Sequence, residues 1–176
     1  MEALIDDLLT LARQGETITD FESVELVPLV ENCWTTVETT NASLAVEIDK
    51  KIPIQGDADR LKQVFENLIR NAVQHGGPDV MVTVGELDDG FYVADDGPGI
   101  PEGDRGQIFD AGYSTADAGT GFGLSIVDEI IDAHGWSIQV TESEAGGARF
   151  EITGVSGAGS ANYEQVERNN GGDPRV

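Results

Sequence analysis

Lysine is scarce in this sequence: Lys50, Lys51 and Lys62 are the only three. Ten basic side chains stand against 33 acidic ones, for a net charge of −23. That balance argues against direct nucleic-acid binding, which needs Lys and Arg to neutralise phosphates. Cysteine is limited to Cys33, which excludes an internal disulfide framework and fits a reducing cytosol. A lone cysteine of this kind suits a small buried apolar position. No uninterrupted apolar run approaches membrane-spanning length, and Met1-Glu2-Ala3 lacks the basic start of a secretory signal. The expectation is a cytoplasmic chain that makes no membrane contact of its own.

What is present points to an ordinary core. Hydrophobic residues make up 39% of the 176, enough for one domain. The acids are spread along the chain rather than gathered in a tail. Spread acid with little lysine suggests a salt-rich cytoplasm, where charge repulsion is screened within about 3 Å at 1 M salt. A haloarchaeal source is the expectation; an ordinary acidic protein is the alternative.

Residues 1–14 carry an apolar stripe (Leu4, Ile5, Leu8, Leu9, Leu11, Ala12) at helical spacing, and Gly15 stops it. From 20 to 154 the pattern mixes α and β. Glu22–Val27 reads as a strand, and 28–40 as a helix with Pro28 in its first turn. Leu44, Val46 and Ile48 alternate as a strand, and Ile52–Gln55 forms another. Asp57 suits the cap of a long helix, 58–75. Val80, Val82 and Val84 alternate, Asp89-Gly90 turns the chain, and Phe91 and Val93 return it as a hairpin. The stretch 96–121 reads as loop and 122–134 as a helix. Trp136–Thr141 and Ala148–Thr153 close the fold. The last segment, 155–176, has too little apolar content to offset its ordering entropy and is expected to be disordered.

Three groups of residues carry chemistry. On the 58–75 helix, Asn67 and Asn71 lie one turn apart on the face opposite the apolar one. Amide side chains can ligate a hard cation and donate to phosphate; alone, they better suit a solvated face. Asp95-Asp96-Gly97-Pro98-Gly99-Ile100 follows a strand. A carboxylate there can accept from an exocyclic amine, and the glycines allow close backbone approach; alone, this equally suits a turn. Gly119-Thr120-Gly121-Phe122-Gly123-Leu124 opens a helix, where bare amides and the helix dipole favour a polyphosphate. No Gly-Lys-Ser/Thr follows, so it is not a P-loop.

Taken together and in order, these groups resemble the catalytic ATP-binding domain of sensor histidine kinases, in the superfamily that includes gyrase, MutL and a heat-shock chaperone. Glu66 to Ala72 resembles its N box, Asp95 to Ile100 its G1 box, Ile108 to Thr115 its F box, and Gly119 to Leu124 its G2 box. The resemblance covers roughly 20–154 and implies an α+β fold. That fold is a two-layer sandwich of a mixed, mainly antiparallel sheet with about three helices on one face. It implies ATP and Mg²⁺ as cofactors, bound between the N-box helix, a lid over 101–118 and the G2 helix. Asp95 would hold the adenine amine, and Gly97, Gly99 and Ile100 would admit the purine. Asn71 would ligate Mg²⁺, with Asn67 near the same phosphates. Gly119, Thr120, Gly121, Phe122, Gly123 and Leu124 would line the phosphate site. Phe109 would anchor the lid, with Thr115 at the end of the F box.

In gyrase-like relatives a glutamate stands where this chain has Asn67, which favours phosphotransfer over hydrolysis. Two departures matter. Many members carry Lys or Arg where Gln74 stands, so one phosphate contact is missing, with Arg70 and Arg105 as candidate substitutes. The phosphoacceptor histidine is absent: His75 ends the N-box helix and His134 suits a structural role. Residues 1–15 resemble the tail of a dimerisation helix. The implied partners are the dimerisation and phosphoacceptor domain of a histidine kinase and a response regulator. Two alternatives are a non-catalytic nucleotide-binding regulatory module and an anti-sigma-type serine kinase.

Overall fold

The structure, a computed structural model, describes residues 21–37, 39, 41–49, 53–77, 79–110 and 123–155. The expected helix over 1–14, most of the 155–176 tail, and Thr115, Gly119, Thr120, Gly121 and Phe122 lie outside them. The elements run β1 (Glu22–Val24), α1 (Leu26–Thr36), β2 (Ser43–Glu47), β3 (Ile54–Gly56), α2 (Ala58–Gly76), β4 (Met81–Leu87) and β5 (Gly90–Asp95). A single 3-10 turn (Glu102–Asp104) is followed by α3 (Gly123–Ala133), β6 (Ser137–Glu142) and β7 (Ala148–Thr153).

Five strands form one sheet in the order β2-β4-β5-β7-β6. Only β2 and β4 pair in parallel; the other neighbours are antiparallel. Alternation decides the two faces. Val84, Val93 and Phe150 are register partners and all buried, as are Phe91 and Ile152 one row away. These rows meet Leu61, Val64, Phe65, Leu68 and Ile69 of α2 and Ile126, Ile130 and Ile131 of α3 in one core. The other face is polar and networked. Tyr92 donates to Glu47 at 3.0 Å, and the Arg149 guanidinium lies 3.9 Å over the Tyr92 ring. This is the two-layer sandwich that the resemblance implies.

β1 and β3 pair with each other as a separate two-stranded ribbon. The Ile52–Gln55 strand therefore shifts to Ile54–Gly56 and does not join the main sheet. The strand expected over Glu22–Val27 ends at Val24, because the chain is already helical at Leu26. Helix α1 thus starts two residues before Pro28, which still falls in the first turn, where no N–H is needed. The stretch 96–121 is not all loop, since a 3-10 turn follows Pro101. Val155, assigned to the tail, is buried and donates its N–H to the Asp89 carbonyl at 3.1 Å.

Asp57 caps α2: its carboxylate accepts from the Arg60 N–H at 3.2 Å. Its own N–H donates to Nε2 of His134 at 3.0 Å. On the other side of that ring, Nδ1 lies 2.8 Å from the Ile130 carbonyl. These partners require a neutral imidazole with its proton on Nδ1. Burial among Trp136, Phe21 and Gly56 accordingly lowers the His134 pKa.

Candidate functional site

The site is built at the end of β5. Asp95 has the same parity as Phe91 and Val93, so its side chain projects toward the helices rather than the outer face. It pairs across the strands with Val82 and is only 8% exposed. A carboxylate in an apolar row is costly unless its oxygens are engaged. Oδ1 accepts from the Gly97 N–H at 2.9 Å and from the Ala148 N–H at 3.2 Å. Among the described residues nothing donates to Oδ2. Burial raises the Asp95 pKa; the two backbone donors oppose that, the Asp96 charge adds to it, and His75 opposes it.

The backbone of Asp95 is held from the β6–β7 turn. Ser143 donates its hydroxyl to the Asp95 carbonyl at 2.7 Å and accepts from the Gly147 N–H at 2.8 Å. Gly147 is packed so tightly on Asp95 that a Cβ would collide with that carbonyl oxygen. Nothing in the sequence pattern points to Ser143; the Gly146-Gly147 pair before the last strand was the available signal for this turn.

The end of α2 lies beside this strand end. A Cβ on Gly97 would stand 2.5 Å from the Gly76 Cα, so the two backbones come this close only because residue 97 has no side chain. Gly99 has φ 81° and abuts the Gly146 carbonyl. Ile100 packs at the edge of the core.

Asn67, Asn71 and His75 recur every four residues along α2 and so form one row of about 12 Å. His75 is exposed at its Asp95 end. Asn67 is at the other end, but it is not on a solvated face: it is 5% exposed. Its Nδ2 donates to the Gly123 carbonyl at 3.3 Å, and its Oδ1 accepts from Arg70 at 3.0 Å. Asn67 is buried because α3 begins against it. Asn71, between these ends, is half-buried, and no described group hydrogen-bonds its amide. Its oxygen is therefore available to a hard cation. Gln74 is exposed. Gly123 and Leu124 open α3, and Leu124 packs on the core. Phe109 packs edge-on against Phe150 at 6.2 Å beside the buried Ile108. Arg105 donates to the Ile100 carbonyl at 3.1 Å.

One row of α2 thus links the start of α3 to a half-engaged carboxylate at the end of the central strand. The family of histidine kinase-, DNA gyrase B- and HSP90-like ATPases matches residues 56–154. The chain belongs to this family. The sensor histidine kinase ZraS of Klebsiella oxytoca is 33% identical over an alignment of 160 residues that covers 85% of this chain and 34% of ZraS. The sensor histidine kinase CpxA of Escherichia coli K12 is 31% identical over an alignment of 171 residues that covers 86% of this chain and 36% of CpxA. The chain therefore spans about a third of the length of these relatives. Among solved structures, the nucleotide-free catalytic domain of histidine kinase ThkA aligns with a TM-score of 0.65 at 29% identity, covering 76% of this chain and 95% of that one. Full-length ShkA in complex with AMPPNP aligns with a TM-score of 0.70 at 30% identity, over 85% of this chain and 34% of ShkA. These bacterial relatives lend no support to a haloarchaeal source. Among the described residues, no helix is long and apolar enough to cross a membrane.

Proposed function

We propose that this chain binds ATP with Mg²⁺ and transfers the γ-phosphate to a histidine supplied from elsewhere, as the catalytic domain of a cytoplasmic sensor histidine kinase. The observation that carries this is Asp95: a buried carboxylate at a strand end, held by backbone on Oδ1 and with no described donor on Oδ2. An exocyclic amine beside Oδ2 would replace the water that a charged oxygen otherwise requires. The adenine then lies against Gly97, Gly99 and Ile100, and the phosphates run along the α2 row toward the start of α3. There Gly119, Thr120, Gly121, Phe122, Gly123 and Leu124 would face them.

Asn71 is the residue that would hold Mg²⁺. Among the described residues no cluster of three His, Cys, Asp or Glu could bind a metal. The ion would thus take its other oxygens from phosphate and water, as Mg²⁺ commonly does. When bound, it neutralises phosphate charge. The chain's own part is positioning and electrostatics, which carry most of phosphoryl transfer. No carboxylate occupies the Asn67 position to activate water, which supports transfer over hydrolysis.

The test is to incubate the chain with γ-labelled ATP and a separately supplied dimerisation and phosphoacceptor domain of a CpxA-type kinase. Acid-labile label on that domain's histidine is the expected result. ATP binding without transfer would instead support the regulatory module, which the exposed, neutral Gln74 favours. Phosphoserine on a partner would support the serine kinase. A response regulator would be the next acceptor. The charge of −23 supports work at high salt, and a melting temperature that falls with added KCl would end that part of the reading.

A further inference from the structure

We propose that Arg70 is the side chain that binds the nucleotide's phosphates directly, an inference that rests on the ATP reading above. A triphosphate carries several negative charges, and the described carboxylates at the end of β5, Asp95 and Asp96, are acidic. Cations are scarce, and most described ones are committed. Arg60 pairs with Asp57, Lys62 with Glu66, and Arg149 with Glu151 while covering the Tyr92 ring. Arg105 is turned back onto the Ile100 carbonyl.

Arg70 is different. It is half-buried, and no described carboxylate pairs with it, although the chain has 33 acidic residues. Among the described residues it donates to Oδ1 of Asn67 at 3.0 Å, and Asn67 in turn donates to the Gly123 carbonyl at 3.3 Å. The guanidinium is therefore anchored by a neutral amide within one residue's reach of the start of α3. A guanidinium has five N–H donors in a planar fork, so most remain for an anion. Phosphate matches that fork bidentately. An amide anchor orients the group without neutralising it, which a carboxylate in the same place would do.

The experiment compares the full chain with Arg70→Gln and Arg70→Lys, titrated with Mg·ATP at two salt concentrations and with adenosine. Glutamine keeps a donor for Asn67 but removes the charge. The expected result is a loss of Mg·ATP affinity of roughly tenfold or more in Arg70→Gln, the usual scale for a lost hydrogen bond to a charged group. Its salt dependence should weaken, because one screened charge pair is gone. Adenosine affinity and melting temperature should stay at the wild-type values, and Arg70→Lys should recover part of the loss. Equal losses for ATP and adenosine would make Arg70 structural and overturn the proposal. So would Mg·ATP affinity within twofold of wild type, while leaving the ATP reading intact. A wild-type chain that binds no Mg·ATP would remove both.

Discussion

Asp95→Asn separates the site from the fold. The asparagine oxygen can still accept from the Gly97 and Ala148 N–H groups, at 2.9 Å and 3.2 Å in the wild type. The strand end and the β6–β7 turn should therefore stay in place. The other oxygen becomes an NH₂ group, which presents a donor where the proposed adenine amine would also present one. Losing a hydrogen bond to a charged acceptor costs about 1.5–3 kcal/mol, or roughly tenfold to 150-fold in Kd. Stability should move the other way. The folded Asp95 pKa lies above 3.8, so the folded state holds that proton more tightly than the unfolded chain does. Its contribution is greatest at low pH and is lost as pH rises through the folded value. At neutral pH the carboxylate is thus a net cost, which the amide removes, and Asp95→Asn should melt at or above the wild-type temperature. Asp95→Ala, by contrast, strands two N–H groups at about 1–3 kcal/mol each. Isothermal titration with Mg·ATP and a thermal melt of the three proteins read both effects. An Asp95→Asn protein that stays folded and binds Mg·ATP within threefold of wild type would refute the adenine assignment.

Asn71→Ala should lower the Mg²⁺-dependent part of ATP affinity while shifting stability by no more than about 0.5 kcal/mol, since the side chain is half-exposed and has no described partner; titrations with and without Mg²⁺, and a urea melt, check this. Gly97→Ala should cost about 1–3 kcal/mol by overpacking, because its methyl would stand 2.5 Å from the Gly76 Cα; an unchanged melting temperature would contradict the close packing. His134 has its folded pKa below the usual 6.5, so the unfolded chain takes up the proton first. Its contribution to stability is present above pH 6.5 and lost as pH falls through the lower folded value. Urea melts of the wild type and His134→Ala at pH 7.5 and 5.5 should converge in acid; a constant gap would show that the ring does not titrate in this way.

The helices and central strands were legible because their periodicities are clean. Val82 and Val84 on β4, and Phe91 and Val93 on β5, alternate without interruption, and α2 keeps its apolar residues at three and four. Asp95 and Asn71 could be singled out because a carboxylate at a strand end and an amide on a helix face are local patterns. The rest depends on distant parts of the chain. The burial of Asn67 comes from Gly123, 56 residues away, and no spacing within α2 reveals it. The support of Asp95 by Ser143 spans 48 residues and involves a serine that resembles any turn residue. The β1–β3 ribbon was missed for a different reason: its strands are three residues each, too short to show alternation or to choose a partner.

The two helices under the sheet behave as beams pinned at both ends. Helix α3 is bolted to α2 at Asn67 through Gly123, and again at Asp57 through His134. The spacing between bolts is about 15 Å along α2 and about 16 Å along α3, so the beams are matched and run in opposite directions. A doubly pinned beam can neither slide nor roll without breaking a fastening. A displacement of Gly123 would therefore be felt along α3, as far as the junction where β3 meets α2.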